Sequence, residues 1–219
     1  MTTITAPPAH FENLEEFVES LGGIPLWRIR FRPFPGMATE GDVIAALESP
    51  RKRICELIDG TLVEKPIGYP KSLLASFIIE LLNAFVRPRN LGMVTAPDGT
   101  RELFPGLVRV PDVAFTSWDR CPGRRRPTGQ IPALVPNLSI EILSPSNTAA
   151  EMSRKLRDYF SAGVERVWIV DPIPRTLSIY VDPDMHTMRH SSEIISGDPV
   201  LPGFTLDLAM LFGELDRHG

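Results

Sequence analysis

Three carboxylates interrupt apolar runs that otherwise have the composition of buried strands. Glu56 lies in ICELID, Asp112 in RVPDVAF and Glu141 in LSIEIL. An ionised carboxylate is costly to bury unless it is paired, ligated to a metal or shifted in pKa. Any one of them alone is more simply a satisfied or edge-exposed carboxylate, but three in apolar strands favour a shared role. Clustered oxygen ligands suit Mg²⁺ or Mn²⁺, so the sequence predicts a hard divalent cation among them.

Side-chain alternation indicates how two of these carboxylates could meet. In an extended strand Asp112 shares a face with Val110 and Ala114, and Glu141 shares a face with Ser139. If the two strands are neighbours, Asp112 and Glu141 converge across them.

A lysine in the next predicted helix has the right direction to join them. TAAEMSRKLRDYFSAG has an N-cap pattern at Thr148 and Glu151 and a glycine stop at Gly163. Because helical side chains lean toward the N-terminus, Lys155 points back toward Glu141. An i,i+4 pair with Glu151 explains Lys155 equally well. Beside carboxylates, a lysine could orient a nucleophilic water and stabilise a pentavalent phosphate.

Other motifs carry weaker signals. The run Arg124–Arg126 could contact phosphates, but a solvated loop explains it at least as well. His186 and His190 lie in a polar, turn-rich region, which favours a surface position over metal ligation. The sequence contains neither GxGxxG nor GxxxxGK[ST], and its few histidines are remote from the serines. These patterns disfavour nucleotide-cradling loops and a Ser-His-Asp hydrolase.

The bulk composition is that of an ordinary globular domain. The chain has 219 residues, 43% hydrophobic and 23% charged, with a net charge of -4. That balance gives no global basic field, although it leaves a local basic cleft open. Cys55 and Cys121 are far apart without CxxC spacing, which fits a reducing compartment. With no signal-peptide pattern and no apolar run near membrane length, we expect a cytoplasmic protein without a membrane partner.

The pattern of elements predicts one α/β domain with a mixed sheet. A strand–helix–strand unit over 137–171 is long enough for a right-handed crossover between parallel strands. Residues 1–11 are expected to be disordered. Helices are predicted over 13–23, 38–49, 71–87 and 148–163, with a final helical turn. A hairpin is predicted over 53–65, and strands over 27–36, 92–97, 107–116, 137–143, 165–171, 176–181 and 199–208.

Several segments together resemble a known family. CELIDGTLVEK, RVPDVAF, LSIEILSPSN, EMSRKLRDYFSAGVERVWIVDP and ATEGDV are similar to the Uma-type putative restriction endonucleases, a domain of unknown function within the PD-(D/E)xK nuclease superfamily. The resemblance covers roughly residues 36–182. It implies a restriction-endonuclease-like core, a mixed β-sheet flanked by helices. The whole of 36–219 would form this domain, and 1–35 would be an N-terminal extension, partly disordered or a short helix.

The resemblance also assigns the site residues. Pro111-Asp112 corresponds to the PD, Glu141 to the (D/E) and Glu56 to a further superfamily glutamate. Leu143 stands where the usual lysine would be, and Lys155 in the following helix takes its place. The implied metal ligands are Asp112, Glu141, Glu56 and the backbone carbonyl of Ile142.

The resulting hypothesis is a magnesium- or manganese-dependent endonuclease that hydrolyses phosphodiester bonds in DNA, acting as a homodimer. Two alternatives stay open. One is a non-catalytic nuclease-fold module that binds nucleic acid or protein and uses the carboxylates as a structural network. The other is an interaction protein of toxin–antitoxin type that dimerises through the apolar helix over 71–87.

Overall fold

The structure, a computed structural model, describes residues 11–217, so most of the predicted disorder over 1–11 lies outside it. Within that range the helices are α1 (Leu14–Ser20), α2 (Glu40–Glu48), α3 (Tyr69–Val86), α4 (Ala149–Ala162) and α5 (Leu208–Gly213). The strands are β1 (Cys55–Ile58), β2 (Thr61–Glu64), β3 (Gly92–Thr95), β4 (Arg101–Phe104), β5 (Leu107–Arg109), β6 (Val113–Ser117), β7 (Leu138–Ile142), β8 (Arg166–Asp171), β9 (Thr176–Tyr180), β10 (His186–His190), β11 (Ile194–Ser196) and β12 (Thr205–Asp207).

The central layer is a six-stranded mixed sheet with the order β10-β9-β8-β7-β6-β3. Its pairings are antiparallel except β7 with β8, which are parallel and joined by α4. This is the predicted strand–helix–strand crossover. The same pairings place β6 beside β7, so the condition for Asp112 to approach Glu141 is met.

A smaller sheet of order β2-β1-β5-β4 lies beside the central one and supplies Glu56. The predicted hairpin of β1 and β2 is confirmed, and its turn residues Asp59 and Gly60 have φ values of 48° and 66°. That left-handed conformation is the one Asp-Gly turns adopt.

The strand predicted over 107–116 is in fact two strands in different sheets. β5 pairs with β1, whereas β6 pairs with β7 and β3. Pro111 has no N–H for a sheet ladder, so the chain changes sheets there. Asp112 therefore lies at the junction between the two sheets, directly after the proline.

Helix α3 covers one face of the central sheet. Leu74, Ile78, Leu82 and Val86 of α3 belong to a buried cluster that includes Ile140 of β7. Among the described residues α3 is also the one helix long and apolar enough to cross a membrane, with a mean hydropathy of 1.2. The expectation that no apolar segment approaches membrane-spanning length is therefore corrected for this helix. A helix with one face in a core passes the same test.

Two other sequence predictions are corrected. The strand predicted over 27–36 is wrong, because the chain forms a single 3₁₀ turn over Leu26–Arg28 and only Ile29 bridges to Val63. Prolines interrupt the segment that follows, and they remove the donors a ladder needs. The turn-rich region around the histidines contains β10, whose residues are all exposed. Strands β4 and β11 lie outside the predicted elements.

The N-terminal segment packs against the domain. Leu21, Ile24 and Ile29 form a buried cluster with Ile58 of β1 and Val63 of β2. The division into 1–35 and 36–219 stays a prediction, but residues from 17 onward share this core.

Candidate functional site

Asp112 is fully buried, and lysines from two different elements hold its carboxylate. The Nζ atom of Lys65, just after β2, is 2.7 Å from Oδ1, and the Nζ atom of Lys71, in the first turn of α3, is 2.8 Å from Oδ2. The backbone N–H of Ile142 also donates to Oδ2 at 2.7 Å. Burial alone would raise the pKa of Asp112, but Lys65 and then Lys71 hold it below its ordinary value.

Glu141 is bound from α4, as the sequence predicted. The Lys155 Nζ atom lies 3.2 Å from its Oε1, and the Tyr159 hydroxyl donates to the same oxygen at 2.6 Å. Lys155 and Tyr159 are four residues apart, so they project from one face of the helix. Burial first, and the nearby Glu141 second, raise the pKa of Tyr159 well above its ordinary value, so the phenol stays a donor.

Glu56 joins the same group through Lys155. Its Oε1 is 3.1 Å from the Lys155 Nζ atom, and its Oε2 accepts from Arg109 Nη1 at 2.7 Å. Arg109 also donates to Asp158 of α4. Although burial alone would raise the pKa of Glu56, Lys155 and Arg109 lower it. Glu56 is therefore ionised and anchored between two cations.

The charges of this cluster cancel within the protein. Four carboxylates and four cations make up the cluster, in two ion-paired groups. Asp112 is paired with Lys65 and Lys71. In the other group Arg109 joins Asp158 to Glu56, and Lys155 joins Glu56 to Glu141. Buried ionic groups in a low-dielectric interior need such pairing to remain charged.

Sequence reasoning found Lys155 but missed Lys65, Lys71, Arg109 and Tyr159. One signal was available in the printed sequence. Of the 23 basic residues only four are lysines, and the others are arginines. The fourth lysine, Lys52, is exposed, so three of the four lysines are buried at these carboxylates. The few lysines of this arginine-rich chain are therefore concentrated at this cluster.

The alternative pairing of Lys155 with Glu151 is not formed among the described residues. Glu151 instead receives a bidentate contact from Arg28, at 2.6 Å to Oε1 and 2.9 Å to Oε2. Asn147 donates to the same Oε2 at 2.9 Å. Because Glu151 is bound by Arg28 and Asn147, Lys155 is paired with Glu56 and Glu141 instead. The contact with Arg28 also fixes the first turn of α4 against the N-terminal segment.

Two of the predicted ligands, Asp112 and Glu141, have the carboxylate chemistry that a hard divalent cation prefers. Asp112 and Glu141 supply carboxylate oxygens, and Oε2 of Glu141 accepts no hydrogen bond from any residue within 11–217. Within that same range no group of three or more His, Cys, Asp and Glu side chains is arranged to hold a metal. The Lys155 ammonium group lies between Glu56 and Glu141, so a lysine separates two of the three carboxylates predicted to share a metal. The Ile142 carbonyl and Glu56 stay predicted ligands.

Comparison with known proteins identifies a family and a fold. The family model described as Uma2, putative restriction endonuclease, matches residues 43–209. Among solved structures, a putative nuclease belonging to DUF820 from Anabaena variabilis is similar, with a TM-score of 0.68 and 21% identity over 80% of this chain and 97% of that chain. No curated protein matches the chain. The structural likeness confirms the predicted α/β nuclease fold.

The family match covers all three carboxylates, Lys65, Lys71 and Lys155, and leaves Arg28 outside it. With more than half of the sequence matched and the fold shared, the chain belongs to the Uma2 family of putative restriction endonucleases.

Proposed function

We propose that this protein is an endonuclease that hydrolyses phosphodiester bonds in DNA with the help of Mg²⁺ or Mn²⁺. One observation carries the proposal. Lys155 comes from a helix fourteen residues after Glu141, yet its ammonium group lies 3.2 Å from that carboxylate and 3.1 Å from Glu56. These distances support the proposal that Lys155 takes the part of the lysine that the superfamily pattern has at position 143.

In such a reaction some of these residues would bind the cation and others would assist catalysis. Asp112 and Glu141 would hold the cation, with Glu56 and the Ile142 carbonyl as further proposed ligands. A bound divalent cation would supply positive charge for the phosphate and make water more acidic. Lys155 would orient the attacking water and offset negative charge on the phosphate. Tyr159 keeps Glu141 in place for both roles.

Cleavage of supercoiled plasmid DNA in Mg²⁺ or Mn²⁺ tests the proposal. Wild type should nick the plasmid, and Asp112→Asn and Lys155→Met should each reduce the rate by about a hundredfold or more, the range seen when one catalytic group is removed. Lys52→Met, which changes the exposed lysine, is the matched control and should keep wild-type activity. Equal trace activity in all four proteins would identify a contaminant and reject the assignment.

A non-catalytic binding module is the second candidate, and the closed charge balance of the cluster favours it. Every carboxylate there already has a cationic partner inside the protein. Such a module would bind nucleic acid or a protein partner without cleavage. Calorimetry with Mn²⁺ separates the two functions, because saturable binding that Glu141→Ala abolishes supports the nuclease.

Assembly and location are part of the proposal. A homodimer would present two sites to the two strands of duplex DNA, and light scattering of the purified protein measures this directly. A cytoplasmic location is supported by Cys55 and Cys121, which are both free and buried. Fractionation of the source cells tests it.

A further inference from the structure

The two lysines at Asp112 are held to very different degrees. Lys65 donates to the Val110 carbonyl at 2.5 Å and lies 3.4 Å from the Pro97 carbonyl, besides its ion pair with Asp112. The Lys71 ammonium group has one ion-pair or hydrogen-bond partner among the residues that the structure describes, Asp112. Its side chain is also the more exposed, at 8% against 2% for Lys65. Lys65 is therefore anchored by three oxygens, and Lys71 by one carboxylate.

Lys71 lies next to a solvent-exposed part of the chain. It lies in the first turn of α3, and the residues just before it, Ile67 and Tyr69, are 83% and 81% exposed. A lysine side chain has four rotatable bonds and a compact, strongly hydrated charge. Rotation about these bonds would carry the ammonium group from Asp112 into solvent without moving the helix.

A divalent cation at Asp112 would meet Lys71 directly. Lys71 and the Ile142 N–H both contact Oδ2, at 2.8 Å and 2.7 Å, so this oxygen is already occupied by a positive charge. Like charges that share a buried carboxylate repel strongly in a low-dielectric interior. The less anchored cation is the one that leaves.

We propose that Lys71 is an exchangeable counter-ion of Asp112. It neutralises the carboxylate while no metal is bound, and it moves to solvent when a divalent cation binds, whereas Lys65 and Lys155 keep their places. The displaced ammonium group is then available to a phosphate of the nucleic acid. The inference rests on the proposed function for the identity of the cation.

Lysine-specific reductive methylation of the full chain, quantified by mass spectrometry, tests the exchange. With only four lysines, each can be followed separately, and exposed Lys52 sets the reference rate. Saturating Mn²⁺ should raise the labelling rate of Lys71 by about tenfold or more, because opening a buried amine is what limits its labelling. Lys65 and Lys155 should stay protected in both conditions.

A variant provides the internal control. In Asp112→Asn the carboxylate that holds Lys71 is lost, so Lys71 should be labelled rapidly without Mn²⁺ and the metal should have no further effect. The inference is overturned if Lys71 stays protected in wild-type protein that calorimetry shows to be loaded with Mn²⁺. If that same protein cleaves DNA, the proposed function survives alone. If Mn²⁺ neither binds nor supports cleavage, both fail together.

Discussion

The buried pair of Arg28 and Glu151 ties the N-terminal segment to the helix that carries Lys155, and breaking it should be costly. Arg28 is fully buried, and its guanidinium also donates to the Glu64 carbonyl at 2.9 Å. Arg28→Met keeps much of the volume but leaves the Glu151 carboxylate with only Asn147 as a side-chain donor. We expect Arg28→Met to destabilise the protein substantially.

The size of the effect follows from the burial of both partners. The side chains of Arg28 and Glu151 are 1% and 4% exposed, so solvent cannot replace either one. Removing one member of a buried pair typically costs about 3–5 kcal/mol, because the other charge is left uncompensated. Replacing both members with apolar residues is often nearly neutral. The double variant Arg28→Met/Glu151→Met should therefore recover a large part of the loss.

Urea unfolding followed by tryptophan fluorescence, with Trp168 buried in the folded protein, measures these free energies. The control is Arg175→Met, which breaks a bidentate pair with Asp216 of similar geometry on the surface. Their side chains are 41% and 57% exposed, so that variant should be far less destabilised. An Arg28→Met protein within about 1 kcal/mol of wild type, or a double variant no better than the single one, would refute this account.

Three further predictions concern the same region. Tyr159→Phe removes the 2.6 Å hydrogen bond to Glu141 and should cost about 1.5–3 kcal/mol in urea unfolding, as expected for a bond to a charged group. Gly22→Ala should also destabilise, since φ is +92° and a Cβ would lie 2.6 Å from the Glu151 backbone; a thermal melt equal to wild type would contradict that close contact. Burial alone would raise the pKa of Glu151, but hydrogen bonds from Arg28 hold it below the ordinary 4.5. A carboxyl group whose pKa is lowered by folding stabilises the protein above its unfolded pKa, and this stabilisation is lost on acidification. The difference in unfolding free energy between wild type and Glu151→Gln should therefore be full at neutral pH and shrink below about pH 4.5. A difference that does not change with pH would show that ionised Glu151 is not what Arg28 stabilises.

Elements with local signals were predicted correctly from the sequence. The Asp59-Gly60 turn fixes the hairpin, and Thr148 with Gly163 sets the ends of α4. These signals depend on neighbouring residues alone, through positive φ at the turn and through capping hydrogen bonds. The position of Lys155 beside Glu141 also followed, because a helix directly after a strand has few ways to pack on it.

The rest of the site depends on contacts between distant segments. Lys65 and Lys71 reach Asp112 from more than 40 residues away, and Arg28 reaches Glu151 across 123 residues. No periodicity within a segment specifies such a pairing. The change of sheet at Pro111 was missed for the same reason, since a broken strand and two separate strands have the same local pattern.

In the proposed nuclease, Asp112 and Glu141 share a divalent cation within a lysine-rich centre. Anomalous diffraction from crystals soaked in Mn²⁺ measures the position of that cation directly. We expect one strong peak in contact with carboxylate oxygens of both Asp112 and Glu141, with the Lys155 ammonium group still beside Glu141. Absence of a peak there, at an Mn²⁺ concentration that supports DNA cleavage, would contradict it.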